Sequence, residues 1–129
     1  MFSIKLVNDL VTNKKESTTG NLLFELDGKQ FGHSAYETTS IPYTLTSLKN
    51  YKKNEVYGIS KIDFCHSAKE LYLRIFEKSL QLITYERTNR DELEIISKEI
   101  SIEAYENAVK QLERSYYQQF PTKKRMSII

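Results

Sequence analysis

The sequence predicts an α+β fold: an antiparallel sheet of about six to seven strands packed against a long C-terminal amphipathic helix. Three observations carry that reading. Between residues 2 and 100, apolar and polar side chains alternate in short runs, the signature of half-buried strands. Turn-forming clusters separate the runs, with Asp27-Gly28 as the sharpest. After Ile100 the spacing of apolar residues changes from strand-like to helical.

Phe2, Ile4 and Leu6 alternate with Ser3 and Lys5 to give a first strand. A polar loop follows over 12–20. Leu22, Phe24 and Leu26 then define a second strand. Asp-Gly between extended runs predicts a two-residue turn, because glycine tolerates the positive φ that such a turn needs. The return strand is expected over Lys29–Ser34. Pro42 pushes Ile41 toward an extended conformation, and Leu45, Leu48 and Lys52 then fall at helical spacing, so a short helix is expected from about 43 to 52. A strand is expected over Val56–Phe64. Leu71, Leu73 and Ile75, then Leu80, Leu82 and Thr84, then Leu93 to Ile100 read as a three-strand meander.

Ile102, Tyr105, Val109, Leu112, Tyr116 and Phe120 are spaced 3, 4, 3, 4 and 4 apart, one apolar stripe on a helix. Ser101 is its expected N-cap. Glu103 and Glu106 suit the positive end of its dipole. Pro121 ends it.

The length of 129 residues suits one domain over 1–120, followed by a flexible basic tail over 121–129. Lys123, Lys124 and Arg125 supply three of the 19 basic side chains, which leaves 16 against 17 acidic before residue 121. The formal charge of +2 therefore belongs to the tail and is poor support for nucleic-acid binding. No run approaches the length of a membrane span, and no secretory leader pattern opens the chain, so a cytoplasmic location is expected.

Catalysis finds little support. One cysteine excludes an internal disulfide. His33 and His66 belong to no metal-binding pattern, so no metal is expected. Cys65 and His66 are neighbours, which a strand would point to opposite faces, and Cys65 reads as buried and inert. Neither a phosphate-binding glycine loop nor a nucleophile-elbow motif occurs. No catalytic residue and no cofactor is expected.

Two surfaces suggest binding instead. Asp91, Glu92, Glu94, Glu99, Glu103 and Glu106 are opposed over 91–106 only by Lys98, and Tyr117 lies off the helix stripe. Together they form a candidate acidic docking surface for a protein partner. If the leucines of the meander pack beneath the helix, Tyr72, Arg74, Phe76, Ile83 and Tyr85 lie on the opposite face. That face is too apolar to be left bare. Either the 36–54 segment or another layer covers it, or it serves as a protein interface. A third use is a stacking platform for single-stranded nucleic acid.

The run Ile4-Lys5-Leu6-Val7-Asn8-Asp9, a polar loop, and Gly20-Asn21-Leu22-Leu23-Phe24-Glu25-Leu26-Asp27-Gly28-Lys29-Gln30-Phe31 resembles the opening of small bacterial immunity proteins. These neutralise toxin domains of contact-dependent growth inhibition and related polymorphic toxin systems. The polar-aromatic segment Tyr36–Tyr51 and the small size are similar too. The resemblance implies a non-enzymatic inhibitor that binds its cognate toxin domain directly. Many such toxins are nucleases with basic clefts, which an acidic surface would occlude. The competing readings are a single-stranded nucleic-acid-binding module using Tyr72, Arg74, Phe76 and Tyr85 with the tail, and a small enzyme with a site assembled from distant residues.

Overall fold

The computed structural model describes residues 1–12, 18–65 and 67–119. The centre of the expected polar loop, His66, Phe120 and the basic tail lie outside these residues. The order of elements is β1 (Phe2–Thr12), β2 (Thr18–Leu26), β3 (Lys29–Gln30), β4 (Tyr36–Thr38), α1 (Ile41–Lys49), β5 (Ile59–Ile62), β6 (Leu71–Ile75), β7 (Ser79–Arg87), β8 (Leu93–Ser101) and α2 (Ile102–Gln119).

The fold is α+β, with eight strands among the described residues, in two antiparallel sheets of four rather than six or seven in one. In the first sheet, β1 pairs one edge of β2, while β3 and β4 share the other. The second sheet runs β5-β6-β7-β8. It contains the expected meander, in which each chain reversal brings the next apolar face alongside the last.

Asp27 (φ 54°) and Gly28 (φ 79°) form the expected turn between β2 and β3. The return strand is shorter than expected, stopping at Gln30. The chain leaves β2 at Phe31 and rejoins it as β4. The Val56–Phe64 strand is also shortened: Tyr57 and Gly58 both have positive φ, and a two-residue reversal joins Val56 to Ile59. Helix α1 starts two residues before the expected position because Ser40 caps it, its side chain accepting from the Tyr43 amide at 3.2 Å. Pro42 is tolerated there, since first-turn amides have no intrahelical partner.

The core is one cluster to which both sheets and both helices contribute. Leu71, Leu73, Leu80 and Leu82 are fully buried, each worth about 1.5–3 kcal/mol relative to an exposed position. Tyr36 joins the sheets: its ring stacks on Phe64 at 4.8 Å and meets Phe24 edge-on at 5.2 Å. Helix α2 buries Tyr105, Ala108, Val109, Leu112 and Tyr116. It does not lie chiefly over the meander leucines. It packs mainly on β1, with α1 beside it and smaller contacts to β7 and β8. Ser101 caps it as expected, accepting from the Ala104 amide at 3.0 Å.

Candidate functional site

Strand alternation gives the second sheet a buried face and an outer face. The register sets Ile59 beside Arg74, Gln81 and Glu99, and Lys61 beside Tyr72, Ile83 and Ser97, all on the outer side. Helix α1, which packs against α2, β2 and β5, does not cover it, since Ile59, Lys61, Arg74, Ser97 and Glu99 on this side are exposed. The 36–54 segment therefore leaves this face accessible.

One corner of that face concentrates exposed apolar and aromatic groups. The Val56–Ile59 reversal is closed by two backbone hydrogen bonds of 2.8 and 3.1 Å, and the Ile75 amide donates to the Gly58 carbonyl at 2.8 Å. This ties the turn to the end of β6, where Arg74 and Phe76 lie. Tyr57 is 100% exposed, Val56 65%, Ile59 42% and Phe76 41%. The Arg74 guanidinium sits 5.3 Å from the Phe76 ring centre. A turn tip ordinarily carries small or polar residues that tolerate positive φ. Here a tyrosine occupies the left-handed region at φ 53° with its side chain wholly in solvent. Backbone strain of this kind concentrates at functional sites.

Farther along the face, Glu70 accepts from the Tyr72 hydroxyl at 2.7 Å and pairs with Lys61 at 3.0 Å. These bonds hold the Glu70 carboxyl below its usual range and raise Tyr72 and Lys61. The Tyr85 hydroxyl donates to the Ala68 carbonyl at 2.7 Å, and its ring meets His33 edge-on at 5.2 Å. All four stacking candidates share the outer face, Tyr72, Arg74 and Phe76 at β6 and Tyr85 on β7, where its hydroxyl is tied to the loop before β6.

The acidic residues of 91–106 do not form one surface. Asp91 closes the β7–β8 turn at φ 61° and pairs with Arg87 at 2.9 Å. Glu92 is exposed beside it, its amide bonded to the Thr88 hydroxyl. Glu94 and Glu99 lie five residues apart on β8 and so project from opposite faces. Glu99 is on the outer face, where it accepts from the Ser79 hydroxyl at 2.7 Å. Glu103 is exposed in the first turn of α2. Glu106 faces α1, accepting from the Tyr51 hydroxyl at 3.4 Å with Lys52 at 4.0 Å. Burial, and then the Glu106 charge, push Tyr51 up to about 12. Tyr117 is half-buried with its ring 5.2 Å from Tyr116. Val56, Tyr57 and Ile59 escaped the sequence reading. The Tyr57-Gly58 pair was their one signal, and strand parity outweighed it.

Comparison of the chain with protein-family models, curated proteins and solved structures gives no match. Among the described residues no helix is long and apolar enough to cross a membrane, and no group of three or more His, Cys, Asp or Glu is placed to hold a metal. Cys65 is half-buried in a loop at φ 62° rather than buried on a strand. The Val56–Phe64 run ends as strand at Ile62, where the Asp63 carboxylate takes the Cys65 amide at 2.7 Å. A cavity of about 160 Å³ lies between α1 and α2, lined by Leu48, Tyr51, Tyr105 and Val109.

Proposed function

We propose that this chain is a non-enzymatic, protein-binding inhibitor: an immunity protein that neutralises a cognate bacterial toxin domain by direct binding. The observation that supports protein binding is the Val56, Tyr57, Ile59, Arg74 and Phe76 corner. Tyrosine and arginine dominate the energetics of protein interfaces, and this corner presents both on a hydrogen-bonded sheet edge. A preformed surface loses less conformational entropy on association than a mobile loop does. The narrower assignment, to an immunity protein, rests on the resemblance of the first third of the sequence. In this reading Glu99, in the same cross-strand row as Arg74, supplies the acidic component of the surface.

The test is coexpression with the C-terminal domain of a large secreted protein encoded immediately upstream. Restored growth and copurification of a stoichiometric complex are expected. Arg74→Ala and Phe76→Ala should weaken that complex, with charge reversal at Glu94, Glu99 and Glu103 run alongside. Failure to protect, or an upstream gene encoding no toxic domain, defeats the immunity reading. Salt-sensitive binding of single-stranded RNA at about 50 mM salt would move the corner to the nucleic-acid reading.

A further inference from the structure

Among the described residues, strand β8 ends its sheet and pairs β7 alone. Over 93–99 every side chain but the half-buried Ile96 is exposed, with Leu93 at 61% and Ile95 at 76%. The Thr88 amide donates to the Glu92 carbonyl, and the Ile102 amide to the Lys78 carbonyl. Antiparallel pairs alternate, so Glu94, Ile96, Lys98 and Ile100 turn their backbone groups toward β7. Leu93, Ile95, Ser97 and Glu99 turn theirs outward. A long edge of this kind, with no proline and no bulge, is a template for another strand.

We infer that the free edge of β8 pairs with β8 of a second copy of this chain, antiparallel, about a two-fold axis at Ile96. The argument is charge complementarity in that register. It sets Glu94 of each copy opposite Lys98 of the other, on both sides of an Ile96–Ile96 pair, with Ile95 opposite Ser97. Neither Glu94 nor Lys98 has an ion pair among the described residues. Asp27, close to Lys98, is already engaged by the N-terminal amine. A two-fold centred on Ile95 instead places Glu94 against Ile96, and one centred on Ser97 places it against Ile100. The outward backbone groups of Ile95 and Ser97 fall opposite each other, as a hydrogen-bonded pair requires. The product is a continuous eight-stranded sheet whose outer face carries the corner of each copy.

Sedimentation equilibrium on the full chain tests this, with circular dichroism confirming that each variant is folded. The wild type should be dimeric. Lys98→Glu and Glu94→Lys should each weaken the dimer by about tenfold or more, since each sets like charges opposite twice. The double swap should restore it. Ser97→Pro removes an outward amide without touching the β7 ladder and should also yield monomer. A wild type that is monomeric at about 1 mM, a dimer indifferent to the single swaps, or a double swap that stays monomeric overturns the inference. Recruitment of a toxin strand to this edge in place of a second copy does so as well.

Discussion

The Tyr36 hydroxyl lies 2.9 Å from the Thr84 hydroxyl, buried between the two sheets, though the two residues are 48 apart in sequence. Thr84 has one proton, which it donates to the Glu70 carbonyl at 2.7 Å, so Tyr36 is the donor to Thr84. A buried polar group stripped of its partner costs more than the bond contributes. Thr84→Val therefore strands both the Tyr36 hydroxyl and the Glu70 carbonyl, and should destabilise by about 2–3 kcal/mol. Tyr36→Phe removes one hydroxyl and leaves the Thr84–Glu70 bond in place, and should cost about 1 kcal/mol. Urea unfolding of the two variants checks the order, and equal losses would contradict the assigned direction of the bond.

Gly32 stands beside that pair with φ +75°. A Cβ there would sit 2.6 Å from the Tyr36 hydroxyl oxygen and 2.7 Å from Thr84 Cγ2. Both neighbours are held by the buried bond and cannot swing away. Gly32→Ala should destabilise by about 2–4 kcal/mol, the sum of left-handed strain and displaced packing. Gly28 has φ +79° and open space around it, so Gly28→Ala isolates the backbone contribution at about 1 kcal/mol. The difference between the two midpoints in the same denaturant measures the contact at Gly32.

His33 sits between Tyr36 and Tyr85, each ring 5.2 Å away, and its Nε2 has no hydrogen-bond partner among the described residues. Burial, and then the nearby Lys69 charge, lower its pKa below the usual histidine value. Glu86 borders the same hollow and is the opposing charge there. With the folded value depressed, the unfolded chain binds the proton first. Stability is therefore complete above pH of about 6.5 and falls as the pH drops toward the folded value. The melting temperature should decline between pH 7 and pH 5, and less so in His33→Gln. An equal decline in both proteins would place the effect elsewhere.

The readable parts of the sequence were those governed by local periodicity. Helix α2 and the meander repeat one pattern over many residues, Ser101 marks the boundary between them, and Asp27-Gly28 marks the turn from β2 to β3, both with specific backbone chemistry. Division into two sheets was not readable, because it depends on Tyr36, Phe64 and Thr84 meeting across long stretches of chain. The start of α1 was hidden because Ile41 before Pro42 favours extended backbone, and only the Ser40 cap overrides that preference. Among the acidic candidates the charge was legible and the direction was not. Glu94 and Glu99 differ by an odd number of positions, so a strand separates them, and Glu106 is claimed by Tyr51 and Lys52 from another element.

Tyr57 offers the sharpest separation of fold from function. Its side chain is wholly exposed, so removing it takes nothing from the core, and its φ of 53° disfavours any residue with a Cβ. Tyr57→Gly relieves that strain while adding backbone freedom to the unfolded chain. The net change should lie between zero and a gain of about 1 kcal/mol. The same substitution removes the most prominent aromatic of the proposed contact corner, and should weaken partner binding by about tenfold or more. Tyr57→Phe, which keeps the ring, should retain most of the affinity. Thermal denaturation and titration calorimetry on one set of preparations give both readouts. Clear destabilisation by Tyr57→Gly would assign the ring a structural role, and unchanged affinity would remove it from the contact surface.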